Sequence, residues 1–253
     1  KCDGNNKTSR FLDKDVHLDN RFCSTHKKFF RDLTELEKVN FNQAKYIYLD
    51  GTIDKNVIDT LVKEVKGQGL DENGNFIPNL HGEHILVILG SKVVEQGISF
   101  FNVRETHIMD PWHHLNMMEQ ASGRAFRQTS HIMLPKEEQN VTLFMHIASL
   151  PIEYEHIGNE TPDEKVYRKA YFKKIQMSKI ERVLKKNAVD CLLNRNGNIF
   201  LKEDYPKTLL MKNSKNNEVE GHIYNEDYSM ICDFDICDYK CNVDDRHIQK
   251  IDI

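Results

Sequence analysis

Short apolar runs recur through the middle of the chain, each stopped by glycine, aspartate or another polar residue. "KYIYLDG", "HILVILG", "ETHIMD" and "NVTLFMHIA" have the length and near-continuous hydrophobicity of buried strands, the pattern of a parallel sheet covered on both faces. Between the first two lies "DKNVIDTLVKEV", where Val57, Leu61 and Val65 recur at helical spacing, and then a polar surface loop, "KGQGLDENGNFIPNLHG". Between the third and fourth, a second helix is expected from about Leu115 to Arg127. Strand, helix and strand in alternation predict a doubly wound α/β unit with right-handed crossovers. Ligands of such sheets bind beyond the carboxyl ends of the strands.

The flanks have a different texture. Residues 1–45 are polar and irregular apart from the amphipathic "KKFFRDLTELEKV", and are expected to be an insertion or the remainder of the same lobe. The α/β rhythm occupies 46–150. From 151 to 253 a mainly helical extension is expected, led by "PDEKVYRKAYFKKIQMSKIERVLKKNAVDCLL" behind a Thr161-Pro162-Asp163 start. "NRNGNIF" then reads as a turn, and the tail holds "CDFDICDYKC".

Composition narrows the function classes. With 253 residues and 39% hydrophobic content the chain can bury a sizeable core, and its formal charge of −4 excludes a surface that attracts nucleic acid everywhere. No apolar run approaches the roughly 18 residues of a membrane span, so no membrane partner is expected, and the polar start "KCDGNNKTSR" does not suggest secretion. Six cysteines at scattered positions suggest free thiols in a reducing compartment.

The chemistry concentrates in "QASGRAFRQTSH". On a helix, Gln120, Arg124 and Arg127 would form one stripe able to touch a single ligand. Gly123 within that helix, which costs about 1 kcal/mol relative to alanine, suggests a close approach to the backbone. The competing reading is a solvated polar face. Upstream, Gly90 and Gly97 lie at or just past a strand's carboxyl end, where exposed backbone N–H groups and the Ser91 hydroxyl suit phosphate oxygens.

The series "SKVVEQGIS", "HIMDPWHHLNMMEQASGRAFR" and "SHIMLPKEEQNV" resembles motifs V and VI of superfamily 2 helicases of the Swi/Snf-like branch, carried on the second RecA-like lobe. The wording after motif VI is closer still to the helicases and transcription ATPases of nucleocytoplasmic large DNA viruses. That group includes the poxvirus early transcription factor small subunit and nucleoside triphosphatase I. The resemblance covers roughly Lys45 to Ala148. It implies that Arg124 and Arg127 reach the γ-phosphate of ATP as catalytic arginines, and that Gln120 and Gly123 support them at the nucleotide. Gly97 and Ile98 would belong to the nucleotide-binding motif V turn that links nucleotide state to nucleic acid, and Ser91 and Lys92 would contact the backbone of DNA or RNA. Asp110 and Trp112 are expected to position the following helix.

The fold so implied is a RecA-like parallel sheet flanked by helices, the helicase C-terminal lobe, with its extension. ATP and Mg²⁺ would be held mainly by another lobe, because these 253 residues hold no GxxxxGK[ST] loop and no acidic metal-binding DExx box. An N-terminal helicase lobe, in the same polypeptide or another subunit, is therefore an expected partner, with viral RNA polymerase as another. The expected location is the host cytoplasm or the virion. The alternative function is a non-catalytic docking subunit of a viral transcription factor. Cys232, Cys237 and Cys241, with His222 or His247, are a weaker zinc candidate lacking a C-x-x-C knuckle, with free or buried thiols preferred. His113 and His114 read as a polar cap, and the lysines between Lys165 and Lys186 as a solvated face or a phosphate-contacting strip.

Overall fold

A computed structural model describes residues 18–71, 73–91, 98–151 and 160–242. The chain divides into two units, one of Lys1–Thr106 and Glu119–Leu143, the other of His107–Met118 and Phe144–Ile253.

The first unit begins with an antiparallel pair, β1 (Phe22–Cys23) and β2 (Lys28–Phe29), and a short helix α1 (Glu35–Val39). Thr34 and Glu37 close a capping box that starts α1. The amide of Ala44 donates to the Phe22 carbonyl and that of Ser24 to Asn42 (both 2.8 Å), so this polar stretch is folded against the start of β3 (Tyr46–Leu49). Helix α2 (Lys55–Val65) is capped by Asp54 and carries the chain to β6 (Val87–Gly90), by way of the small hairpin β4 (Gly69–Leu70) and β5 (Phe76–Ile77). β3 and β6 are parallel, Tyr46 opposite Val87 and Leu49 opposite Gly90. The core is Ile47, Leu49, Ile58, Leu61, Val65, Ile85 and Phe100.

Asn79 ties the crossover together. Its Nδ2 donates to the carbonyl of Val65 (2.9 Å), and its Oδ1 accepts from the amides of His84 and Ile85 (2.9 and 2.7 Å). A single buried amide thus serves both the end of α2 and the approach to β6.

All four expected strands form, the last two being β7 (Glu105–Ile108) and β8 (Thr142–Met145), which pair with each other. Two details differ from the sequence expectation. In α2 the buried row is Ile58, Leu61 and Val65, while Val57 is 40% exposed. The spacings i, i+3, i+7 and i, i+4, i+8 share two residues here, so periodicity alone does not choose between the rows. The strands are also not buried on both faces: α2 covers the Ile47 and Leu49 side, whereas Tyr48, Val87 and Leu89 stay exposed.

In the second unit, α4 (Pro162–Asn187) starts at a Thr161–Glu164 capping box with proline in its first turn. Ala170 on α4 is fully buried against Leu115 and Met118, with Ile108, Trp112 and Tyr167 around them. The expected helix does not run on: α4 stops at Asn187 and α5 (Cys191–Asn198) begins after a break, so "NRNGN" is helical and not a turn. An antiparallel hairpin follows, β9 (Thr208–Lys212) and β10 (Glu218–His222), turning through Asn213–Asn217.

The tail corrects the reading of the cysteines. Cys191 is bonded to Cys241 and Cys232 to Cys237, so these four are neither free thiols nor arranged as a zinc set. Among the described residues Cys23 alone is a free thiol, and it is buried. Asp233 is buried between Arg182 (3.1 Å) and Lys185 (2.6 Å) of α4, and the Arg182 guanidinium lies over the Tyr239 ring at 4.6 Å.

Candidate functional site

The helix that was expected to run to Arg127 is shorter. The third helix, α3 (Leu115–Ser122), gives way at Gly123 to a series of turns. Gln120 therefore stands exposed on α3, half-buried Arg124 lies in the first turn, and exposed Arg127 follows it, so the three do not share one helical stripe. Gly123 has a local reason to be glycine, since a Cβ there would sit 3.0 Å from the carbonyl oxygen of Glu119. That is tighter than nine in ten real Cβ contacts, so an alanine there would push the Glu119 carbonyl aside by a few tenths of an ångström.

What replaces the helix is a turn held from outside. The amide of Phe100 donates to the Arg124 carbonyl and that of Asn102 to the Ser130 carbonyl, both at 3.0 Å. The Ser130 amide closes back on Arg127 (3.0 Å), with Thr129 between them at φ 67°. A β-branched residue rarely adopts that left-handed region, so the surroundings hold the turn in place. His131, 8% exposed, reaches the Val103 carbonyl through Nε2 at 2.7 Å and Ser130 Oγ through Nδ1 at 2.8 Å.

Arg127, Thr129, His131, Gln139 and Asn140 line a groove of about 430 Å³ together with Phe126, Ile132 and Val141. Its far wall is fixed as firmly as the turn. Arg104 donates through Nε to the Asn140 carbonyl (3.2 Å) and through Nη2 to Asn140 Oδ1 (3.4 Å), and pairs with Glu138 at 3.2 Å. Burial pulls the Arg104 guanidinium below its ordinary value, and the neighbouring Glu138 carboxylate opposes this. Gln139 Nε2 donates to the Leu134 carbonyl at 2.9 Å. The Arg127 guanidinium and the Thr129 hydroxyl give this groove donors for an anion's oxygens, while the Gln139 and Asn140 amides are engaged in holding its wall.

The other candidates fall into separate places. Exposed Ser91 follows β6 directly and its amide donates to the Leu49 carbonyl (2.9 Å), so it sits at the carboxyl end of both parallel strands. There Asp50 accepts from the Thr52 amide (2.8 Å) and shapes the adjoining loop. Ile98 packs on the core of the first unit, two residues before the amide of Phe100 that binds Arg124. Lys92 and Gly97 lie outside the described residues. In the second unit, Trp112 packs beside Leu115 and Met118. Neither Arg104 nor the side chains of "SHIMLPKEEQNV" carry a sequence signal that marks them as part of a site. Ser130, His131, Glu138, Gln139 and Asn140 of that string prove to be the groove's supports.

Comparison with known proteins sets this geometry in context. Residues 20–129 match the helicase conserved C-terminal domain. A candidate ATP-dependent RNA helicase of Acanthamoeba polyphaga mimivirus is 28% identical over 210 residues, 82% of this chain and 17% of the relative. A second from the same virus is 38% identical over 122 residues, 48% of this chain and 20% of the relative. An early transcription factor large subunit homologue of African swine fever virus is 29% identical over 121 residues, 48% of this chain and 10% of the relative. The chain thus spans a fifth or less of the length of these relatives.

Proposed function

Residues 20–129 are a helicase conserved C-terminal domain of the kind found in large DNA virus helicases, and on that premise we propose that this chain is the second RecA-like lobe of a nucleic-acid-dependent ATPase acting in viral transcription. The observation that carries the reading is the pinned turn. Arg127 is exposed beside the groove, on a backbone whose shape is fixed by bonds to the Phe100–Val103 segment. Cationic donors fixed before the reaction stabilise charge that develops during phosphoryl transfer.

In this reading Arg127 and Arg124 approach the γ-phosphate of ATP when the two lobes close, and Gln120 and Gly123 border the same nucleotide. The donors here suit phosphate oxygens rather than a cation, so Mg²⁺ and most ground-state contacts to ATP belong to the other lobe. Ser91 and Lys92 contact the nucleic-acid backbone, which gives sequence-tolerant binding that weakens with salt, while Gly97 and Ile98 belong to the motif V turn on the nucleotide side. DNA is the substrate proposed, with RNA as the alternative. Viral RNA polymerase is the partner that transcription would require.

The test is Arg127→Lys in the complete polypeptide. Lysine keeps the charge and loses the planar fork, so kcat should fall by about 10³ while KM for ATP changes little. The thermal midpoint should stay at the wild-type value. Wild-type turnover by the variant refutes the arginine assignment. The African swine fever virus relative is named as a transcription factor subunit, which fits a second reading in which the lobe serves for docking DNA or polymerase. A complete wild-type polypeptide that binds DNA yet hydrolyses no ATP supports that reading instead.

A further inference from the structure

The ring of His131 joins the arginine turn to another part of the chain through both of its nitrogens. Nε2 lies 2.7 Å from the Val103 carbonyl oxygen. A carbonyl can only accept, so Nε2 carries a hydrogen and donates it. Nδ1 lies 2.8 Å from Ser130 Oγ, and that hydroxyl also lies 3.1 Å from the carbonyl of Ala125. In the neutral ring Nδ1 accepts, and the single hydroxyl hydrogen of Ser130 is shared between Nδ1 and the Ala125 carbonyl. Ala125 stands between the two arginines, one residue after Arg124 and two before Arg127.

These bonds complete a lacing begun by the main chain. Phe100 binds Arg124, Asn102 binds Ser130, and Val103 binds His131, so consecutive points of one segment meet successive points of the other. The side-chain link is the one at the far end of the turn, just past Thr129 in its left-handed conformation. A phenylalanine or leucine at 131 would fill the same buried volume. It would leave the Val103 carbonyl without this partner and release the end of the turn.

We propose that His131 is a positioning residue: through Ser130 and Val103 it holds the arginine turn in one register on the Phe100–Val103 segment and so fixes where Arg127 presents its guanidinium. The inference rests on the ATPase reading above and adds to it the part that keeps the arginine in place. The same link carries any displacement of the Ile98–Val103 segment directly to Arg127.

The experiment compares wild type, His131→Ala and His131→Gln in the complete polypeptide by amide hydrogen exchange and steady-state ATPase. In His131→Ala, exchange at the Asn102 and Ser130 amides should rise about tenfold or more while the amides of β3 and α2 keep their protection. kcat should fall about 100-fold, the scale of a misplacement near 1 Å, with KM for ATP nearly unchanged. Glutamine can place an amide N–H near the position of Nε2, so His131→Gln should recover much of the protection and rate. Unchanged exchange at Asn102 and Ser130 in His131→Ala, or protection lost equally across β3 and α2, overturns the proposal. A wild-type polypeptide that hydrolyses no ATP overturns the ATPase reading instead, and the exchange pattern then decides the clamp by itself.

Discussion

In the first unit, Leu61 and Val65 of α2 press on Ile47 and Leu49 of β3, all less than 5% exposed. In the second, the groups buried around the end of α4 are Arg182, Asp233, the half-cystines Cys191, Cys232 and Cys237, and the Tyr239 ring beneath Arg182. Apolar burial is non-directional and worth roughly 25 cal/mol per Å², so the first arrangement gains from any good fit. A buried ion pair gains little net free energy, because desolvation offsets attraction, but losing one partner is costly. The tail is therefore held less by the strength of its contacts than by the penalty of every alternative. Apolar residues are not lacking on α4, but Phe172, Ile180 and Leu184 are more than 60% exposed and contribute no core there.

The comparison can be broken most forcefully at Asp233. Asp233→Ala leaves the Arg182 guanidinium buried beside no carboxylate and should cost about 3 to 5 kcal/mol in the second unit. Replacing Arg182 by methionine in the same chain should restore much of that loss. The single tryptophan, Trp112, packs in the second unit, so its fluorescence during urea unfolding follows this transition. Leu61→Ala should cost about 3 kcal/mol, since the cavity lies under the sheet and cannot fully collapse. Exchange of the β3 amides measures it, and the largest gains in exchange should lie within the core of the first unit.

The smallest effect concerns α1 and pH. The Glu37 carboxylate accepts from the Thr34 amide at 2.8 Å and pairs with Lys28 at 3.1 Å, which lowers its pKa from 4.5 to about 2. A depressed carboxylate adds stability that is complete above its unfolded value and is lost as pH falls through the folded one. The cap should therefore hold at pH 5 and loosen between about 4.5 and about 2. Titrating the Thr34 amide by NMR checks this, and Glu37→Gln should abolish the transition.

Much of the fold was legible in the sequence because its signals are local. The four strands, α2 and the capped start of α4 were all marked by runs of apolar residues or by a cap written within four positions. The shape of the arginine site was not. Gly123 marks the end of α3 through contact with Glu119, although glycine inside a helical pattern reads equally as a ligand's approach. The bond from His131 spans 28 residues of sequence, and Arg104 meets Glu138 across 34, separations at which no periodicity speaks. Cys191 and Cys241 likewise lie 50 residues apart, and spacing alone does not reveal that they pair.

That last bond gives the chain a closed topology. Everything from Cys191 to Cys241 forms a covalent ring that holds α5, the β9–β10 hairpin and, within it, the smaller ring of Cys232 and Cys237. Within the ring lies the exposed asparagine-rich turn between β9 and β10, the kind of loop tip that proteases nick first. A cut there opens the ring without dividing the molecule. The two pieces travel as one species until the disulfide is reduced, and only then separate by size.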